Sequence, residues 1–149
     1  MLPSATGNTR RQIEMIEDFG GVTAIHCTPS YALHLAEVAE SMGKTLDSLK
    51  TGIFGGAEPW SENTRAELER RLGVKAYDSY GLSEMYGPPG VAFECPERDG
   101  LHLWHDCYLA EIIDPKTGER LAPGERGGEL VITRSSRRPC RSSATAPAT

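Results

Sequence analysis

No run of apolar residues approaches the roughly 20 needed to cross a membrane as a helix, so no membrane anchor is expected. Met1-Leu2-Pro3-Ser4-Ala5-Thr6 has no basic region followed by an apolar stretch. That absence argues against a secretory signal and leads us to expect a cytoplasmic protein. There is no excess of basic residues: 16 Lys and Arg face 21 Asp and Glu, for a net charge of −5. Nucleic acid and anionic membrane are therefore poor candidates as main partners. The four cysteines, Cys27, Cys95, Cys107 and Cys140, form no CxxC pair, and free thiols are expected in a reducing compartment. There are no internal repeats, and nothing in the sequence fixes an oligomeric state. What remains is an ordinary soluble composition, and the 149 residues suit one compact domain or part of a larger one.

The pattern begins with helices and strands in alternation. Thr9-Arg10-Arg11-Gln12 reads as a capping box opening a helix, with Ile13, Ile16 and Phe19 as its apolar stripe and Gly20-Gly21 as its stop. Val22 to Cys27 is β-branched and mostly apolar, which predicts a buried strand. Thr28 can cap a second helix with Pro29 at its first position; Leu33, Ala36 and Val38 belong to its buried side, and Gly43 closes it. Leu49 to Phe54 reads as a strand. Ser61 caps a third helix, Glu62 to Leu72, whose Glu and Arg residues mark a wet face and which stops at Gly73. Val74 to Tyr77 is the next strand. Short connections between such elements predict parallel strands covered by helices.

Beyond Tyr80, Gly, Pro and turn residues dominate. Short strands are expected at Val91–Glu94, Leu101–Trp104, Ala110–Ile113 and Glu129–Thr133, with a turn at Asp114–Gly118. The expected fold class is therefore α/β: a partial parallel sheet with covering helices, followed by a small β-rich segment.

Two segments carry the chemistry. Ile53-Phe54-Gly55-Gly56-Ala57-Glu58-Pro59-Trp60 and Asp78-Ser79-Tyr80-Gly81-Leu82-Ser83-Glu84 each leave the end of a strand. In a parallel sheet, loops at the carboxyl ends of strands build the ligand crevice. Glycines there admit close approach of backbone to ligand. Tyr80 offers a ring for stacking, Ser83 a hydroxyl for phosphate, and Glu84 a carboxylate for a hard cation such as Mg²⁺. Gly-rich turns of this kind also serve as plain connections, and Ile53 and Phe54 suit core packing equally well.

Tyr80-Gly81-Leu82-Ser83-Glu84 resembles the signature of the adenylate-forming superfamily, which includes acyl-CoA synthetases, luciferases and peptide-synthetase adenylation domains. Thr28-Pro29-Ser30-Tyr31, the run Ile53 to Trp60, and Tyr80 to Glu94 with Gly87-Pro88-Pro89-Gly90-Val91 resemble the phenylacetate–CoA ligase family in particular. So do Gly100-Leu101-His102-Leu103-Trp104-His105-Asp106 and Glu111-Ile112-Ile113-Asp114-Pro115. The resemblance runs from about Gly7 to Thr133. It implies that residues 1–133 are a fragment of an AMP-binding domain. It also implies a reaction in which ATP and an aryl carboxylic acid form an acyl-adenylate, from which the thiol of coenzyme A displaces AMP. On this resemblance Ala57, Glu58 and Pro59 line the adenine site, together with Asp78 and Gly81 of the second loop. Tyr80 stacks on adenine, Ser83 meets the phosphates, and Glu84 holds Mg²⁺. Ile53, Phe54 and Gly55 wall the acid pocket.

Several features depart from that pattern. The family's phosphate loop, ribose-binding Asp, hinge and C-terminal lysine are not found, and a complete ligase is roughly three times longer. These 149 residues alone are therefore expected to be inactive. Gly20-Gly21, Gly55-Gly56, Pro88-Pro89 and Gly127-Gly128 each look like one residue with an extra copy. Residues 134–149 lose all periodicity, which by composition reads as a disordered tail. Back-translated with GC-rich codons and read one base earlier, they permit TLKQEALPVIRYRTRD. That resembles the family's continuation, including its Arg-Tyr-Arg-Thr-x-Asp run. The tail thus reads as out-of-frame.

Two other readings stand beside the ligase. One is a nucleotide- or acyl-adenylate-binding module without catalysis. The other is a small structural domain in which Cys95, His102, His105 and Cys107, residue types that suit zinc, bind that metal. Their spacing matches no standard zinc signature. His26 and His34 fit packing or surface roles, and Trp60 and Trp104 fit packing anchors.

Overall fold

The computed structural model describes residues 7–56, 58–85, 90–135 and 144–145. The chain alternates α1 (Thr9–Phe19), β1 (Ala24–Cys27), α2 (Pro29–Ser41), β2 (Thr51–Gly55), α3 (Glu62–Leu72) and β3 (Lys75–Tyr80). A single turn of 3-10 helix, Ser83–Met85, follows. Then come β4 (Ala92–Glu94), β5 (Leu101–Leu103), β6 (Tyr108–Ile113), β7 (Glu129–Arg134) and the short β8 (Ala144–Thr145). Strands β1, β2 and β3 are parallel neighbours, as the short crossovers predict.

Helix starts follow local chemistry. At α2 the Thr28 hydroxyl accepts from the Tyr31 amide (3.4 Å) and Pro29 takes the first helical position, where it costs no hydrogen bond. At α3 the Ser61 hydroxyl accepts from the Thr64 amide (3.3 Å), and Gly73 ends the helix in the left-handed region at φ 67°. Glu62 in its first turn and Arg70 and Arg71 in its last complement the helix dipole. The capping box expected at Thr9 does not form. Asn8 is the N-cap, without a side-chain bond, and Thr9 is buried inside the helix. Its hydroxyl lies 3.2 Å from that of Tyr31, which donates to Gln12 as well. Thr9 and Gln12 thus tie α1 to α2 rather than close the helix end.

One core lies under the three helices. Ile13 and Ile16 of α1, Leu35 and Ala36 of α2, and Leu68 and Leu72 of α3 meet Phe54 of β2 and Ala76 of β3. Each of the larger side chains contributes about 1.5–3 kcal/mol by leaving water. The strand expected to be buried, Val22–Cys27, is shorter and lies at the sheet edge. In β1, Ala24 and His26 are exposed and Ile25 and Cys27 half-buried, because β2 is its only neighbour among the described strands. The short strands β4 and β5 extend the first sheet. They join the same sheet antiparallel, giving five strands in the order β1-β2-β3-β4-β5. Strands β6, β7 and β8 make a second antiparallel sheet. A second core of Met85, Val91, Tyr108 and Ile132 joins the two sheets, with Tyr80 and Leu82 packed against it.

Strands β2 and β3 are in tight contact at their carboxyl ends. A Cβ added to Gly55 would lie 2.0 Å from the Ser79 carbonyl oxygen and 2.6 Å from its hydroxyl. The neighbouring Gly56 has φ +105°, a region closed to most side chains. Both members of this doublet therefore have a use in the fold. Replacing Gly55 with Ala should lower stability by about 1–3 kcal/mol, the range typical of overpacking. Urea unfolding monitored by circular dichroism reads the change directly.

Candidate functional site

The site sits where β1, β2 and β3 end. The turn Thr28-Pro29-Ser30 leaves β1, residues 56–60 leave β2, and Gly81 to Met85 leave β3. Glu58 lies over the N-terminus of α2. Its carboxylate accepts from the Ser30 amide (3.1 Å) and the Ser30 hydroxyl (2.6 Å). This satisfies one of the unpaired amides at the helix start, where negative charge is favoured. Cys27, half-buried at the end of β1, has its thiol pushed up to about 12, first by burial and then by the Glu58 charge. It stays a neutral thiol at physiological pH and is no nucleophile.

The residues read from sequence fall into distinct environments. Phe54 is fully buried in the helix-side core, its ring edge-to-face with Trp60 at 5.8 Å. Ile53 points to the other face and is half-buried, and Gly55 is buried against Ser79. Pro59 is exposed and Ala57 lies outside the described residues. Asp78 is half-buried, and its carboxylate accepts from the Ser79 amide (2.7 Å). Tyr80 and Gly81 are half-buried. Among the described residues the enclosed Tyr80 hydroxyl has no hydrogen-bond partner, and burial raises its pKa, so it remains protonated. Ser83 and Glu84 are exposed on the 3-10 turn, while the next residue, Met85, is fully buried. The turn therefore presents a hydroxyl and a carboxylate to solvent from an anchored base. Of the second doublet, Pro88-Pro89 also lies outside the described residues.

Two supporting residues escaped the sequence reading. Arg65 belongs to the helix expected to have a wet Arg/Glu face, yet it is buried. Its guanidinium grips the Glu94 carboxylate at two points, both 2.9 Å, and donates to the Ala76 carbonyl (2.7 Å) and to Glu62. It also lies 4.7 Å from the Trp60 ring centre, a cation–π contact. Glu94 in turn accepts from the Asp78 amide (2.8 Å). The pair connects α3, β3 and β4 just before the Tyr80–Glu84 loop. The signal was present: Arg65, Leu68 and Leu72 share one helix face at spacings of three and four. Nearby, Glu69 accepts from the Ala76 amide (3.0 Å) and Arg98 (2.6 Å). Burial raises its pKa, but these two donors outweigh it and hold the carboxyl below its ordinary value.

The second missed residue is Tyr108, whose hydroxyl donates to the Met85 carbonyl oxygen (2.5 Å). No sequence pattern marks that contact.

The Cys/His set does not converge. Among the described residues no group of three or more His, Cys, Asp and Glu side chains is placed to hold a metal ion. Cys95, His102 and His105 instead line an open groove with Phe93 and Trp104. Trp104 is half exposed and stacks edge-on against Phe93 at 6.2 Å. His26 and His34 are exposed. No helix among the described residues is long and apolar enough to cross a membrane.

A partly parallel sheet thus carries a Gly-rich turn at one strand end and the Tyr80–Glu84 loop at the next. The family described as AMP-binding enzyme matches residues 2–136, and the chain belongs to it. The chain is 48% identical over 136 residues to the phenylacetate-coenzyme A ligase of Pseudomonas putida, covering 89% of this chain and 30% of that protein. The corresponding ligase of Escherichia coli (strain K12) is 47% identical over 137 residues, again covering 89% and 30%. Among solved structures, an open conformation of 2-hydroxyisobutyryl-CoA ligase with 2-HIB-AMP and CoA matches with a TM-score of 0.77 at 31% identity. It covers 89% of this chain and 31% of that one. The chain thus spans about a third of the length of these relatives.

Proposed function

We propose that the chain is the nucleotide-recognition part of an AMP-forming aryl-acid–CoA ligase, with phenylacetate as the acid. The observation that carries this reading is that Tyr80 ends β3, while Glu58, Ser83 and Glu84 lie on the loops that leave the carboxyl ends of the neighbouring parallel strands β2 and β3. In the reaction a carboxylate oxygen attacks the α-phosphorus of ATP and pyrophosphate leaves. The CoA thiol then attacks the acyl carbon and AMP leaves. ATP, CoA and the acid are all cytoplasmic metabolites, which suits a cytoplasmic enzyme.

The roles follow from chemistry. Tyr80, neutral and with its hydroxyl enclosed, offers its ring to adenine. Ala57, Glu58 and Pro59 line the opposite side of the base, with Asp78 and Gly81 shaping the wall of the second loop. Ile53, Phe54 and Gly55 back the acid pocket, Phe54 through the core it fills. The Ser83 hydroxyl donates to phosphate oxygen. The exposed Glu84 carboxylate suits Mg²⁺, which takes one or two protein carboxylates and leaves the rest of its shell to water and phosphates. Bound there, the ion would offset the charge of the triphosphate. A separate zinc site finds no such support.

By itself the 149-residue chain should bind without turning over, because it spans only about 30% of the length of the ligases it matches. Purified chain given ATP, Mg²⁺, CoA and phenylacetate should show calorimetric ATP binding and no pyrophosphate release above background. Steady turnover contradicts this reading, and so does a folded chain that binds no ATP.

We also infer that residues 134–149 are out-of-frame translation of a ligase gene. The family match stops at residue 136. The one-base-earlier frame permits a ligase-like continuation at every codon, although two of three bases are fixed by the residues displayed. On this reading the pairing of Ala144–Thr145 with Val131–Ile132 has no evolved role, and neither has Cys140. Resequencing the source DNA from the codon for Gly127 onward should reveal a one-base correction that restores the continuation. A confirmed frame overturns the inference.

A further inference from the structure

The 3-10 turn that carries Ser83 and Glu84 is held from behind by a residue of the second sheet. Tyr108 opens β6 and is 2% exposed, packed with Met85, Val91 and Ile132. Its own amide is fixed to the Trp104 carbonyl (2.8 Å). Its hydroxyl donates to the Met85 carbonyl oxygen at 2.5 Å. Met85 is in turn fully buried, and its amide donates to the Leu82 carbonyl (3.0 Å). Side chain, amide and carbonyl of this one residue are thus all engaged. Ser83 and Glu84, immediately before it, stand exposed. A buried carbonyl of a one-turn helix has no partner further along the helix, so the Tyr108 hydroxyl supplies what the backbone cannot.

We propose that Tyr108 is a positioning residue for the nucleotide site. By holding the Met85 carbonyl it fixes the direction in which Glu84 and Ser83 face the metal-bound triphosphate of ATP. The inference rests on the roles given to Ser83 and Glu84 above. It adds a residue from outside both loops, and it makes the second sheet part of the site's framework. A carboxylate that must meet a cation with strict geometry gains from being placed before the ligand arrives. A turn free to rock would bind the nucleotide base equally well, lose part of the Ser83 contact to phosphate, and lose most for the metal complex, where Glu84 is also misplaced.

The test is Tyr108→Phe in the full 149-residue chain, which keeps the buried ring and removes the hydroxyl. Two measurements are made: ATP affinity with Mg²⁺ and with EDTA, and amide hydrogen exchange by mass spectrometry. Peptides covering Ser83–Met85 should exchange faster, while peptides from α1 and α2 should not change. Affinity for Mg²⁺-ATP should fall about three- to tenfold, the scale of one hydrogen bond, with metal-free ATP affinity falling less. Unchanged exchange at Ser83–Met85 overturns the proposal. Equal weakening with and without Mg²⁺ also overturns it, since that is the signature of general destabilisation. A Glu84→Gln chain is measured alongside. If that exchange leaves the Mg²⁺ dependence intact, the role given to Glu84 fails. The hydrogen-exchange result still decides whether Tyr108 holds the turn.

Discussion

The ion pair between Arg65 and Glu94 is the constraint on which the site's architecture depends. Both side chains are nearly removed from solvent, at 10% and 5% exposure. Burying two charges is costly unless their hydrogen-bonding capacity is met. Here it is met almost completely. Arg65 is shared among Glu94, Glu62, the Ala76 carbonyl and the Trp60 ring, and Glu94 takes the Asp78 amide as well. The consequence is geometric. Helix α3 is fastened to β3, and β4 is drawn alongside, so the segment Asp78–Tyr80 enters its loop from a fixed position.

From that anchor the loop has two further supports. Gly55 and Ser79 lock the ends of β2 and β3 together at a separation that no side chain at Gly55 could share. Met85, held in the second core and by Tyr108, closes the far end. Between these points lie the half-buried Tyr80 and the exposed Ser83 and Glu84. On the other side of the site, Glu58 is fixed by the amide and hydroxyl of Ser30 at the head of α2. Rigid strands and a helix terminus thus position the polar groups, while the groups that face solvent are few.

Much of this was readable in the sequence, for physical reasons that differ by element. The third helix was legible at both ends because Ser61 and Gly73 are local signals whose chemistry is complete within four residues. The parallel order of the first three strands followed from connections too short for other routes. The two loops were legible because their residue types are unusual together. What could not be read depends on contacts distant in sequence. Arg65 looked like a surface arginine beside Glu62, and only the presence of Glu94, 29 positions away, makes its burial tolerable. The pairing of Ser79 with Phe93 put β4 and β5 into the first sheet, and strand propensity cannot express that. Thr9 was misread because its hydroxyl serves Tyr31 of the next helix instead of its own helix end. The Cys/His set drew notice by residue type alone, and the fold spreads Cys95, His102 and His105 along an open groove.

The Arg65–Glu94 pair thus fixes the segment that enters the Tyr80–Glu84 loop. The most direct measurement is residue-resolved amide hydrogen exchange in a Glu94→Gln chain, compared with the unaltered one. Loss of the carboxylate leaves Arg65 buried without its counter-charge, at a cost of about 3–5 kcal/mol for such pairs. Protection should fall at Asp78 through Met85 and at the Ala76-facing part of α3, while α1 and the first half of α2 keep theirs. Unchanged protection at Asp78, or an even loss across all three helices, would contradict it.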